Sequence, residues 1–152
     1  MGYSHYWSYS TIISNDIRIK IINEVKLFIK MNKNIKLQET DEKHTCFSSS
    51  KPFITTNEII FNGVDGYETF IVDFNKINEN SFCKTNNKPY DLIVCLTLLS
   101  MANHIENFTF TTDGKFVEWK PIFEKYIKYV GNIRINLDNH IFNDETNFAN
   151  IM

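Results

Sequence analysis

The sequence predicts an α+β domain in which a mainly antiparallel sheet packs against two or three helices. Three patterns support that class. Rings and small residues alternate over residues 2–9, which is the two-residue period of a strand. Apolar side chains recur every three or four residues over 14–32, which is the period of a helix. Two β-rich runs, roughly 57–62 and 67–74, flank a glycine-containing segment and predict a hairpin.

The first predicted strand carries four rings, at Tyr3, His5, Trp7 and Tyr9. Because side chains alternate between the two faces of a strand, these rings lie on one face. They either form the buried face of an edge strand or line a pocket where flat groups stack. We expect His5 and Trp7 to be the rings that reach a ligand, since all four cannot contact one small molecule.

The first helix is predicted over residues 14–32, with Ser14 as its N-cap and Asp16 in the first turn, where the helix dipole favours an acidic side chain. Its apolar stripe is typical of a side that faces a core. The polar segment 33–52 contains KNIKLQE, a candidate short strand, and is otherwise typical of a loop.

The hairpin is predicted to turn at Gly63 and Gly66, where glycine supplies positive φ angles. A second helix is predicted over 90–104, because Pro89 suits the first position of a helix and the following residues are apolar on nearly every side. That pattern predicts a central, buried helix that crosses the sheet. Its core positions are predicted to be Val94, Leu98 and Met101.

The last part of the fold is predicted as a strand and a helix. The strand covers 108–112 and ends in a turn at Asp113 and Gly114. The helix is expected to begin near Pro121 and to stop at Gly131. Its inward side chains are predicted to be Ile122, Tyr126, Ile127 and Val130.

The predicted order is therefore β-α-β-β-α-β-α, with one domain over residues 1–138 and a polar C-terminal tail over 139–152. At 152 residues and 43% hydrophobic content, the chain can bury a core without disulfides or metals. A net charge of −2 excludes a generally basic surface, so no extended nucleic-acid surface is expected.

Cysteine use predicts a cytoplasmic protein. Cys46, Cys83 and Cys95 are widely spaced and form no CxxC pair, which disfavours a disulfide framework and structural zinc. His44 lies close to Cys46, but no third ligand is near, so no metal and no cofactor is predicted. We also expect no membrane association, since we find neither a signal peptide nor a run of roughly 18 apolar residues.

The segment CKTNNKPYD, from Cys83 to Asp91, is the strongest candidate for a ligand site. Lys84, Lys88 and several backbone amides precede the N-terminus of the second helix, and such an arrangement attracts anions. Tyr90 is included among the candidate ligand-binding residues. The segment is neither a Walker loop nor a phosphatase loop, because the required glycines and arginine are missing. The alternative is a solvated connection whose lysines serve solubility.

The histidines and acidic residues match no common catalytic motif. His5 is nevertheless a candidate general acid or base, with Asp91 or Asp113 as the partner that orients it. Asp113 becomes a candidate only if the strand over 108–112 pairs with the first strand and places it near His5. His104, near the end of the second helix, has a simpler interpretation as a cation favoured by the helix dipole.

Several segments occur in an order that resembles a known family. They are MGYSHYW, IIFNG, GYETF, FCKTNNKPYDLIVC and FTFTTDG, followed by Trp119. This order resembles small uncharacterised proteins that begin MGYTHYW-like and occur in phages, bacteria and large DNA viruses. Ser4 stands where that family often has Thr, and Asn86 and Asn87 stand where more basic or small residues are usual. The resemblance implies a viral or phage accessory protein, located in the host cytoplasm if it is virus-encoded, and, by analogy, a part in host takeover or defence evasion.

Three hypotheses about function follow. The first is a binding protein that combines the first-strand rings with the lysine loop and takes a phosphorylated aromatic ligand such as a nucleotide. Its candidate ligand-binding residues are His5, Trp7, Lys84, Lys88, Tyr90 and Asp113. The second is a small enzyme that acts on a nucleotide through His5. The third is a protein-interaction module without a ligand site, whose aromatic face forms an interface or a homodimer seam.

Overall fold

The computed structural model describes residues 3–39, 51–131, 133 and 135, and the backbone alone of 140–141. In that part of the chain, three helices and eight strands confirm the predicted α+β class. The helices are α1 (Asn15–Met31), α2 (Asp91–His104) and α3 (Phe116–Val130). The strands are β1 (Ser4–Ser8), β2 (Leu37–Gln38), β3 (Phe53–Ile54), β4 (Glu58–Gly63), β5 (Phe70–Asp73), β6 (Ser81–Lys84), β7 (Thr109–Thr112) and β8 (His140–Ile141).

The strands form two sheets. The first has the order β6-β1-β7-β8, in which β1 pairs antiparallel with β6 and β7, and β8 is parallel to β7. The second is built on β4, which pairs antiparallel with β2, β3 and β5. The predicted hairpin is the β4–β5 pair. The sequence allowed β1 to be an edge strand. In the structure it is not, because it lies between β6 and β7.

Helix α1 forms as predicted. The Ser14 hydroxyl caps it by accepting a 3.3 Å hydrogen bond from the Ile17 amide, and Asp16 lies in the first turn. Its apolar stripe buries Ile21, Ile22, Val25 and Phe28. The stripe packs mainly against α2.

Helix α2 is the centre of the core. Every residue from Ile93 to Asn103 is buried, which confirms the prediction for Val94, Leu98 and Met101. The helix contacts α1, α3 and β7, so it is covered on several sides. This coverage explains why its sequence is apolar nearly all round. Within the described residues, no helix is both long enough and apolar enough to cross a membrane.

Helix α3 corrects two predictions. It begins at Phe116 rather than near Pro121, because the Glu118 carboxylate accepts a 2.8 Å hydrogen bond from the Lys115 amide and closes the N-terminus earlier. Pro121 lies inside the helix. The fully inward side chains are Trp119, Phe123 and Tyr126, whereas Ile122 and Val130 are half-buried and Ile127 is exposed.

The two glycines of the hairpin also correct a prediction, because neither has a positive φ angle. They are required for space instead. A Cβ on Gly66 would lie 2.0 Å from the Asn62 side-chain oxygen, and one on Gly63 would lie 3.1 Å from Cβ of Tyr90. Close packing, and not turn geometry, therefore explains both residues.

The remaining findings concern short strands. The strand β2 confirms the candidate strand in KNIKLQE, whereas β3 and β6 were not predicted. β8 lies inside the segment predicted as a tail, whose remainder is outside the described residues, as are His44 and Cys46.

Candidate functional site

The odd-numbered rings of β1 face the core. His5, Trp7 and Tyr9 are 0%, 3% and 5% exposed. The Trp7 ring packs on Phe70 with centroids 5.2 Å apart, and the Tyr9 hydroxyl donates to the Asp73 carbonyl at 2.6 Å. These three rings therefore form a buried face, whereas Tyr3, the fourth ring of the series, is half-buried.

The predicted pairing of His5 with Asp91 is present in the structure. His5 Nε2 lies 2.7 Å from Oδ1 of Asp91, and His5 Nδ1 lies 2.7 Å from the Thr112 hydroxyl. The same Asp91 oxygen accepts a 2.6 Å hydrogen bond from the Thr85 hydroxyl. We call these residues, together with Cys95, the His5 network. All of them are buried.

Hydrogen-bond counting assigns the proton on His5. The Thr112 oxygen accepts from the Gly114 amide at 2.9 Å and from Nε1 of Trp119 at 3.3 Å. These two donors occupy both of its lone pairs, so the hydroxyl proton is directed at Nδ1 of His5. His5 Nδ1 is therefore the acceptor, and Nε2 carries the proton that is donated to Asp91.

Cys95 completes a group that could hold a metal, since one ligand atom each from His5, Asp91 and Cys95 lies within 4.8 Å of the others. Burial raises the pKa of the Cys95 thiol well above its ordinary value, and the Asp91 carboxylate raises it further. The thiol consequently stays protonated and donates to Asp91 at 3.5 Å. A metal would have to displace the protons on the Cys95 thiol and on Nε2 of His5, and without one the group is a hydrogen-bonded cluster in the core.

The predicted anion loop uses its amides within the protein. The amides of Thr85 and Asn86 both donate to the Tyr3 carbonyl, at 3.0 and 3.1 Å. Those of Asn87 and Lys88 donate to the hydroxyl and the carbonyl of Thr85, at 3.3 and 3.1 Å. Since Trp7 is also buried, the structure does not bring the loop amides and the Trp7 ring together as one open site.

Tyr90 and Asp113 also have partners within the protein. Tyr90 is fully buried, and its hydroxyl donates to the Glu68 carbonyl. The strand that precedes Asp113 does pair with β1, as its candidacy required. The Asp113 carboxylate, however, accepts a 2.9 Å hydrogen bond from the Ser4 amide, and its own amide donates to the Ser4 carbonyl.

The outer face of the same sheet carries rings that are open to solvent. Tyr6 on β1 and Phe82 on β6 are direct partners across the strands, with ring centroids 6.4 Å apart, and they are 43% and 64% exposed. Lys84 follows two residues later on β6 and therefore lies on the same face. Its ammonium lies 5.3 Å from the ring centroid of Tyr67, which is 44% exposed. We call these four residues the aromatic patch.

A shallow groove of about 300 Å³ adjoins the aromatic patch at Tyr6. Polar side chains along it include Ser8, Asn80, Thr109 and Thr111. The hydroxyls of Ser8 and Thr109 lie 3.2 Å apart across the two strands. The outer face thus places exposed rings beside hydroxyl and amide groups that can hydrogen-bond a ligand.

The sequence contained a signal for one ring of the exposed pair, Tyr6. The alternation that puts Tyr3, His5 and Trp7 on one face of β1 puts Tyr6 on the other face. Phe82 could not be found in the same way, because the strand that carries it was not predicted.

Comparisons of the chain with family models, with curated proteins and with solved structures find no match. The family resemblance of the sequence segments therefore stays a prediction. The candidate site rests on the geometry alone.

Proposed function

We propose that the protein binds a phosphorylated aromatic ligand, such as a nucleotide, on the aromatic patch. The observation that carries the proposal is the exposed ring pair of Tyr6 and Phe82, with the Lys84 ammonium group available on the same face. A flat base stacks on the rings, and the lysine attracts the phosphate.

The chemistry of the patch supports this ligand class. Stacking of a base on an aromatic side chain contributes about 1–3 kcal/mol and tolerates any base, because every base has a π face. A lysine–phosphate contact adds a charge-assisted hydrogen bond. The neighbouring hydroxyls of Ser8 and Thr109 offer partners for a sugar or a base edge.

The overall charge favours a small ligand. With a net charge of −2 and a single lysine among its four residues, the patch is too weakly basic to follow a duplex backbone. A mononucleotide or a short single strand suits it better. The accessory role in a virus or phage that the sequence resemblance implies stays a prediction.

The test is calorimetric titration of the full chain with AMP, adenosine and a short oligoadenylate. AMP and the oligonucleotide distinguish a free nucleotide from a single strand as the source of the same base and phosphate. Phe82→Ala and Tyr6→Ala are each expected to weaken AMP binding roughly tenfold through lost stacking. Lys84→Ala is expected to weaken AMP binding but to leave adenosine binding close to wild type.

Two matched variants serve as controls. Phe53→Ala removes a ring that is 42% exposed on β3 of the other sheet, and Lys76→Ala removes an exposed lysine outside the patch. Both are expected to bind AMP like the wild type. The proposal is wrong if the wild type binds none of the three compounds, or if Phe82→Ala binds AMP unchanged. Weaker binding in Lys88→Ala, with Lys84→Ala unaffected, would instead favour the loop site predicted from sequence.

A further inference from the structure

A cleft of about 860 Å³ opens between α1 and the C-terminal end of α2, which is the end opposite to the His5 network. Its lining includes Glu24 from α1 and His104 from α2, and both side chains are 16% exposed. His104 Nε2 lies 2.7 Å from Oε2 of Glu24. A histidine–carboxylate pair in the wall of an open cleft is a common acid–base arrangement.

The Glu24 carboxylate is held in place from three directions. Its Oε1 accepts hydrogen bonds from the Ser100 hydroxyl and from the Tyr126 hydroxyl, both at 2.7 Å, while Oε2 faces His104. The Asn103 amide supports Tyr126 in turn, at 3.2 Å. Ser100 and Tyr126 are fully buried, so the carboxylate is anchored on the core side and meets the cleft through His104.

This anchoring determines the charge on Glu24. Burial by itself would raise the pKa of Glu24, but hydrogen bonds from His104, Tyr126 and Ser100 outweigh burial and lower it. The group is therefore an ionised acceptor, and His104 must donate the Nε2 proton to it. Nδ1 of His104 is then the ring nitrogen that can take up a further proton, and Glu24 stabilises the imidazolium that results.

The charges around the cleft favour a cation. Among the described residues, the titratable groups that line the cleft or contact the pair are Lys20 and Glu24 from α1, His104 from α2, Glu106 from the following loop and Tyr126 from α3. With His104 neutral, the two carboxylates outweigh the lysine ammonium group. The carbonyl end of the α2 dipole adds partial negative charge at the same place.

We propose that this cleft is an acid–base site for a small organic cation such as a primary amine, with His104 as the catalytic base and Glu24 as its positioning residue. The ammonium N–H bond breaks, the proton binds Nδ1 of His104, and the nitrogen keeps the electron pair as a neutral amine. The site is separate from the aromatic patch, so either proposal can fail without the other.

The test measures modification of His104 by diethyl pyrocarbonate, which acylates accessible neutral imidazoles, with peptide mapping by mass spectrometry. In the folded wild-type chain, His104 is expected to react, and putrescine is expected to slow the reaction by occupying the cleft. Glu24→Gln is expected to slow the modification about tenfold, because the ring loses the carboxylate that stabilises its developing charge. The same variant is expected to lose protection by putrescine.

Glu124→Gln is the matched control, because it removes the same charge from an exposed position of α3 that does not line the cleft. It is expected to keep a rate close to that of the wild type. If Glu24→Gln does not fold, Tyr126→Phe removes one hydrogen bond to Glu24 and is expected to slow the reaction less, in the same direction. The proposal is overturned if His104 is unreactive, if putrescine does not protect it, or if the Glu24 and Tyr126 variants react as fast as the wild type.

Discussion

Each end of α2 contributes one member of a histidine–carboxylate pair, and the two pairs have the same separation but different access to solvent. At the N-terminal end of α2, His5 Nε2 and Asp91 Oδ1 are 2.7 Å apart, and their side chains are 0% and 8% exposed. At the C-terminal end of α2, His104 Nε2 and Glu24 Oε2 are also 2.7 Å apart, and each side chain is 16% exposed. Distance therefore does not distinguish a structural pair from a reactive one.

The surroundings of the pairs make the distinction. Asp91 accepts hydrogen bonds from His5, Thr85 and Cys95, and the second ring nitrogen of His5 accepts one from Thr112. All polar side-chain atoms of the His5–Asp91 pair are therefore used inside the protein. Glu24 likewise has three donors, but His104 borders an open cleft. We infer that the first pair stabilises the fold and that the second is able to react.

The largest expected effect compares the loss of each carboxylate. Asp91→Ala leaves the His5 and Thr85 donors buried without an acceptor and should lower the free energy of unfolding by about 2–6 kcal/mol, since each buried donor left unpaired costs about 1–3 kcal/mol. Glu24→Ala should cost less, about 1–3 kcal/mol, because water from the cleft can replace part of the carboxylate. Denaturant titration of both variants measures the difference. Equal losses would contradict the assigned roles of the two ends.

Thr112→Val tests the proton assignment at the buried end. The substitution keeps the shape but removes the acceptor of the Gly114 and Trp119 donors, and it should cost about 1–3 kcal/mol. Thr111→Val, at the exposed neighbouring position, should stay within about 0.5 kcal/mol of the wild type. Nitrogen NMR of wild-type His5 should show the proton on Nε2. A proton on Nδ1 would contradict the hydrogen-bond count.

The pH dependence of the free energy of unfolding should report on Glu24, beside the cleft at the C-terminal end of α2. Because the pKa of Glu24 is lower in the folded protein than its ordinary value of 4.5, its ionised form stabilises the fold above that value. This contribution should disappear as the pH falls through the folded pKa. Glu24→Gln should therefore approach the stability of the wild type on acidification, as measured by denaturant titration across the acid range. Parallel curves for the two proteins would exclude a lowered pKa at Glu24.

The smallest expected effect concerns the thiols of Cys95 and Cys83. Both are free and buried, and burial raises the pKa of Cys83 to about 12 and that of Cys95 well above its ordinary value. Neither should be alkylated by iodoacetamide at mildly alkaline pH until the chain is unfolded, because the thiolate is the nucleophile. Peptide mapping before and after denaturation measures this. Rapid labelling of Cys95 in the folded protein would show that the His5 network is open.

Much of the fold could be predicted from local patterns. The helical period identified α1, and the continuous apolar run identified α2 as the core helix, down to Val94, Leu98 and Met101. Local patterns failed where the reason for a residue lies elsewhere in the chain. Gly63 is required by the ring of Tyr90, and the strand β6 exists because β1 pairs with it.

The candidate sites were predicted only in part. The sequence by itself determined that the residues of β1 alternate between two faces and that a buried helix follows Pro89, because periods of two and of 3.6 residues are local properties. Tertiary structure decided which face of β1 is covered and which carboxylate meets which histidine. His5 and Asp91 are 86 residues apart in the chain, and Glu24 and His104 are 80 apart, so no local pattern records either contact. Packing against α2 buries one pair and leaves the other in a cleft, and this is the physical reason for their different roles.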